Sequence, residues 1–185
     1  MDSDPLQRFD PFNDRKARDI RNTLSSALVA DLKEPGAGHV DGTAAYWLNQ
    51  RPALVYNRYI REQLRRYHAI IRQIRDRRVE DACGQALYLW NAGLFFELHE
   101  LLETVWHTTR GPRRTALKGL IQAAGVYVHR ACGNLPAARN LARRAVRNLR
   151  GAHDSLDFIG NLDHLVTALG DPTAPAPALS APAGD

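Results

Sequence analysis

The densest cluster of chemically capable side chains in this chain is Glu97, His99, Glu100 and Glu103, with Trp106 close behind. Imidazole and carboxylate groups transfer protons and ligate first-row metals. His99 and Glu103 stand at i, i+4, which puts both on one face of a helix. At 100° per residue, Leu94, Phe95, Leu98, Leu101, Leu102, Val105 and Trp106 share an apolar arc. His99 falls at the edge of that arc with Glu103 beside it. Glu100 is within i+3 of Glu103 and points more towards solvent, while Glu97 flanks the opposite edge.

A second polar stripe, Lys118, Gln122 and His129 with Gly125 between them, runs along an otherwise apolar segment. Spacings of four and seven keep these residues on one face. Buried polar groups need partners, because each unpaired one costs ~1–3 kcal/mol. The expected partners are the carboxylates and imidazole of the preceding helix, its antiparallel neighbour. Gly125 offers a place for close approach to the backbone. Three readings compete. The stripes line a ligand pocket of His99, Glu103, Trp106, Lys118, Gln122 and His129; or they are a buried network that only sets helix register; or His99, Glu103 and His129 hold a divalent metal. In the last case Glu100 is the general base of a metal-dependent hydrolase. The HExxH pattern is not met, since Glu103 stands where a second His belongs. Phe96 stands where a Glu-x-x-His motif needs Glu.

The elements that position these residues read as helices throughout. Strand-like alternation is almost absent. The first dozen residues form an arm with anchors Leu6, Phe9 and Phe12. Asp10-Pro11 or Asn13 caps a helix to about Leu32, on the repeat Ile20, Leu24, Leu28, Leu32. Thr43 caps a short helix, and Pro52 opens a long one to about Arg77. Helices are expected over 79–91, 94–108, 113–131 and 135–150, the last capped by Asn134. A final helix starts at Asp154 or Ser155 and runs to Leu169. The turns at Gly93 and Gly133 echo one another 40 residues apart, as in stacked hairpins of the tetratricopeptide type. The Pro- and Ala-rich segment 171–185 is expected to be a disordered tail. The expected organisation is an N-terminal helical extension over 1–81, a core over 82–150 and a packed helix over 151–170. The fold class is an all-α bundle of seven or eight helices.

Three stretches carry a family resemblance: Ala86 to Trp106, Lys118 to Ala124 (KGLIQAA) and Cys132 to Ala138 (CGNLPAA). Together, in this order and spacing, they resemble the family called domain of unknown function 309, over about residues 82–150. Its pattern is a Gly turn and an aromatic, then Glu-x-His-Glu-x-x-Glu-x-x-Trp, a Gly-Leu-Ile-Gln helix and a Gly-Asn turn. Leu98 departs from the Ala usual there. The resemblance implies an all-helical fold and a site at Glu97, His99, Glu100, Glu103, Trp106, Gln122 and His129, but no reaction.

Composition bounds the rest. The chain has 185 residues, 44% hydrophobic and 24% charged, with a net charge of +5. That supports one core or a core plus an arm. Cys83 and Cys132 are too few for a disulfide scaffold. The opening residues carry Asp2 and Asp4 with no apolar run behind them, and no apolar stretch approaches the ~20 residues of a membrane span. A cytoplasmic protein is expected, with no membrane partner. From Thr104 to His153 there are ten Arg and Lys and no Asp or Glu. Arg139, Arg143, Arg144, Arg147 and Arg150 cluster on one helix, and Arg58, Arg61, Arg65, Arg72 and Arg75 on another. Such faces suit weak, non-specific polyanion binding. No phosphate loop, Rossmann fingerprint or nucleophile elbow occurs. The preferred reading is a small helical module binding a small molecule or protein through the His/Glu pocket. The rivals are the metal-dependent hydrolase and a basic scaffold for nucleic acid or acidic partners.

Overall fold

Three helices of this chain begin where a carboxylate, Asp14, Asp31 or Asp81, accepts from their free amides. The computed structural model describes residues 8–182, and these form eight α-helices and one 3-10 turn, with no strand among the described residues. No helix among them is long and apolar enough to cross a membrane. The chain divides into two units, Met1–Arg77 and Arg78–Asp185.

In the first unit, α1 (Arg15–Lys33) is capped by Asp14, whose carboxylate accepts from the Lys16 amide at 2.9 Å and the Tyr56 hydroxyl at 2.6 Å. Asp10 closes the preceding turn instead, accepting from the Phe12 amide. Ile20, Leu24, Leu28 and Leu32 are buried, as their spacing demands. α2 (His39–Asn49) starts four residues before Thr43. The reason is Asp31: this buried carboxylate on α1 accepts from the amides of His39 and Val40 at 2.8 and 2.9 Å. It meets the positive end of the α2 dipole. α3 (Leu54–Asp76) buries Ile60, Tyr67, Ile70 and Ile74. Of the arm's anchors, Phe9 stacks on Tyr59 with ring centroids 3.5 Å apart, and Leu6 lies outside the described residues.

The second unit holds α4 (Ala82–Asn91), α5 (Phe95–Thr108), α6 (Gly111–Ala131), α7 (Leu135–Leu149), the 3-10 turn His153–Ser155, and α8 (Leu162–Gly170). Each of these α-helices packs on the next in sequence. The two Gly turns are chemically the same. Gly93 donates to Trp90 O and Leu94 to Leu89 O; Gly133 donates to Arg130 O and Asn134 to His129 O, all at 2.9 Å. This double closure needs a left-handed residue, and both glycines have positive φ, 67° and 77°. α6 and α7 approach closely at Gly119, where an added Cβ would lie 2.9 Å from Leu149 Cγ and 3.0 Å from Asn148 Cβ. Gly125 is less confined, with Leu141 Cδ1 at 3.2 Å from such a Cβ.

Two expectations need correction. The last helix begins at Leu162, because Gly160 and Asn161 are engaged by a later part of the chain. That part is the segment expected to be disordered: residues 171–182 run as a strap along the unit. Leu179 is 4% exposed. Asn91 receives from the Leu179 amide and gives to its carbonyl, both at 2.8 Å. Asn161 spans Ala178 O and Ser180 N in the same way. Trp90 Nε1 donates to Pro177 O at 2.7 Å, and Arg130 reaches the carbonyls of Asp171 and Ala174. The strap's side chains are mostly the small ones of Ala and Pro, so it docks mostly through its backbone.

Candidate functional site

α5 presents its polar residues on a half-covered face because the apolar arc is committed to its neighbours. Leu98, Leu101 and Leu102 are at most 1% exposed. Beside them His99 Nε2 lies 3.0 Å from Glu103 Oε1, with the two side chains 33% and 44% exposed. Such an i, i+4 pair is worth only a few tenths of a kcal/mol. The His99 and Phe96 rings meet in a T-shaped arrangement, centroids 6.1 Å apart. Glu100 joins this pair: one ligand atom from each of His99, Glu100 and Glu103 lies within 4.8 Å of the others, all three residues being half-buried. Glu97 is elsewhere. It is 4% exposed in the first turn of α5, where the helix dipole favours a carboxylate.

One turn beyond Glu103, Trp106 closes the face. The Arg114 guanidinium from α6 stacks 3.8 Å from its ring centroid. The same guanidinium donates to the carbonyls of Trp106 and Thr109, at 2.9 and 3.1 Å. A cation at a helix C-terminus is favourable, so Arg114 fixes both the helix end and the indole. The indole N–H is buried with no hydrogen-bond partner among the described residues. At the other end of the α5–α6 seam, Phe95 stacks on Tyr127 at 5.1 Å and Trp90 meets both rings edge-on. Contacts at both ends establish that α5 and α6 run antiparallel.

The middle of the second polar stripe turns to α7. Gln122 Oε1 accepts from Asn148 Nδ2 of α7 at 2.9 Å. Gln122 lies one turn from Gly119, where α7 comes closest, so α7 supplies its partner. Lys118 is exposed. His129 is half-buried near the end of α6, outside the group of three donor atoms, and burial lowers its pKa. The structure thus brings together His99, Glu100 and Glu103, with Trp106 adjacent on α5. Sequence reasoning missed Arg114; its position five residues after Thr109, across a short turn, was the available signal.

Comparison with known proteins bears on this segment. Residues 84–141, which include all of α5 and α6, match the model of the family described as Domain of unknown function (DUF309). The match falls within the stretch whose motifs suggested that family. An uncharacterized protein of Aquifex aeolicus (strain VF5) is 33% identical over 153 residues, covering 80% of this chain and 42% of the relative. The chain therefore spans less than half the length of that relative. No solved structure matches it.

Proposed function

We propose that this protein is a small helical binding module whose ligand is a divalent transition-metal cation, held on α5 by His99, Glu100 and Glu103. The observation that carries the reading is the convergence of one imidazole and two carboxylates to within 4.8 Å on adjacent turns. Nitrogen and carboxylate donors bind zinc-like ions at ~2.0–2.2 Å in tetrahedral geometry, so neighbouring donors on one ion sit about 3.4 Å apart. His99 Nε2 and Glu103 Oε1, paired at 3.0 Å, need to part by only a few tenths of an ångström to reach it. A rotamer change of Glu100 closes the rest. Three protein donors on a half-exposed face leave coordination positions for water or an exogenous anion. Phe96 and the Trp106–Arg114 stack limit the freedom of the helix face on either side.

The hydrolytic alternative, with His99, Glu103 and His129 as ligands and Glu100 as base, has less support. His129 lies outside the donor group, and Glu100 is inside it. A pocket floored by Gln122 is also less supported, because Asn148 takes its amide oxygen.

Calorimetric titration of the metal-free chain with Zn²⁺ and Mn²⁺ tests the reading. The expected result is one ion per chain, bound at least tenfold more weakly by His99→Ala and by Glu100→Ala, with Lys118→Ala unaffected. Affinity that Glu100→Ala leaves intact while His129→Ala abolishes it would move the site to the hydrolase triad. Absence of binding below millimolar metal would end the reading.

A further inference from the structure

The second feature with functional content lies on α7, independent of the α5 face. Between α7, the end of α8 and the start of the strap is a groove of about 810 Å³. Arg139, Arg143, Arg147 and Arg150 wall one side. The first three repeat at i, i+4, i+8, about 6 Å apart along the axis, and the stripe to Arg150 is about 16 Å long. All four are exposed, and none has a carboxylate within ion-pair distance among the described residues; Arg143 donates to Asn140 Oδ1. Like charges at this spacing repel, so the bare wall is an unmet demand for anions. The floor has the opposite character. Leu135, 47% exposed, is one of few large apolar side chains left open to solvent, and Val146 and Pro172 continue its surface over the buried Leu169.

We infer that this groove binds an acidic amphipathic helix of a partner protein, its carboxylates on the arginine wall and its apolar ridge on the Leu135–Val146–Leu169 floor. Charge and repeat both match: acidic residues at i, i+4, i+8 on an antiparallel helix recur at the 6 Å step of the arginines. Ala142 is the wall's small residue and allows a partner helix to approach. A nucleic acid backbone would satisfy the arginines but leave the apolar floor uncovered, and no aromatic ring lines the groove for base stacking. A single-headed anionic amphiphile would fill the floor but neutralise only one end of a 16 Å stripe.

Fluorescence anisotropy on the full chain tests this. The probe is a labelled, end-capped helical peptide of about four turns with Glu at i, i+4, i+8 beside a Leu ridge. It is compared with the same peptide carrying Gln for Glu, a peptide of equal charge with its Leu positions scrambled, a dT12 oligonucleotide and dodecanoate. The Glu–Leu peptide is expected to bind at least tenfold more tightly than the Gln and scrambled peptides. Arg143→Glu with Arg147→Glu should weaken it at least tenfold, and Leu135→Ser at least threefold, with circular dichroism unchanged. Tighter binding of dT12 or of dodecanoate than of the peptide overturns the inference in favour of that ligand. Equal binding of the scrambled peptide reduces the groove to a polyelectrolyte surface, and absence of peptide binding at low salt refutes it.

Discussion

Replacing Leu179 by Ala tests the strap, the element that composition least prepares one for. Leu179 is 4% exposed and is the strap's buried apolar side chain, flanked by the paired hydrogen bonds of Asn91 and Asn161. Truncating a buried Leu to Ala costs about 2–5 kcal/mol in rigid cores. The strap has an exit that a core helix lacks: it can release from α4 and α8 while the other helices stay folded. The loss is then capped by the strap's own docking free energy, which places the expected destabilisation at the lower end, about 2–3 kcal/mol. Release also frees the amides of Leu179 and Ser180, which the two Asn side chains accept in the folded state. Urea unfolding gives the first quantity and amide hydrogen exchange the second. The parent should protect both amides and Leu179→Ala should lose that protection before global unfolding. A variant within about 0.5 kcal/mol of the parent, with both amides already unprotected in the parent, would refute the docked strap and restore the disordered tail.

Three further expectations follow from the packing. Gly119→Ala gains about 1 kcal/mol of helix propensity but drives its Cβ onto Leu149 and Asn148 of α7, an overpacking cost of about 1–3 kcal/mol, so a net loss of stability is expected in thermal unfolding. Burial lowers the pKa of His129, so the unfolded chain takes up that proton more readily than the folded one. Its contribution is complete above the ordinary histidine range and is lost as pH falls below it towards the lowered value; between about pH 8 and about pH 5 the parent should lose more urea stability than His129→Gln. Cys83 is buried, and desolvation raises its thiol pKa against the smaller opposing pull of Arg113, so alkylation of the native protein should reach Cys132 before Cys83 by mass spectrometry.

The helices α4 to α7 were legible because their signals are local. Apolar periodicity, Asn134 at a cap and glycines at 93 and 133 each specify structure through near neighbours. α2 began earlier than Thr43 suggested because its cap, Asp31, comes from another helix, and no local pattern carries that information. The strap was hidden for a related reason. Its partners are backbone carbonyls and amides, which every sequence offers equally, and Asn91, Asn161 and Arg130 read as ordinary polar residues until the fold aligns them. In the candidate site, the i, i+4 pair His99–Glu103 was readable from spacing alone. The partner of Gln122 was not: α6 is apolar on most sides, so periodicity does not say which neighbour meets its polar stripe. Gly119 and Gly125 both face α7, with the closer approach at Gly119.

The most direct test of the central claim is an anomalous difference map from crystals of the chain grown with Zn²⁺. The account predicts one strong peak on α5, about 2.0–2.2 Å from a ring nitrogen of His99 and from carboxylate oxygens of Glu100 and Glu103, lost in crystals of His99→Ala. A peak at His129 or at a cysteine with none on α5, or no peak at all, would contradict it.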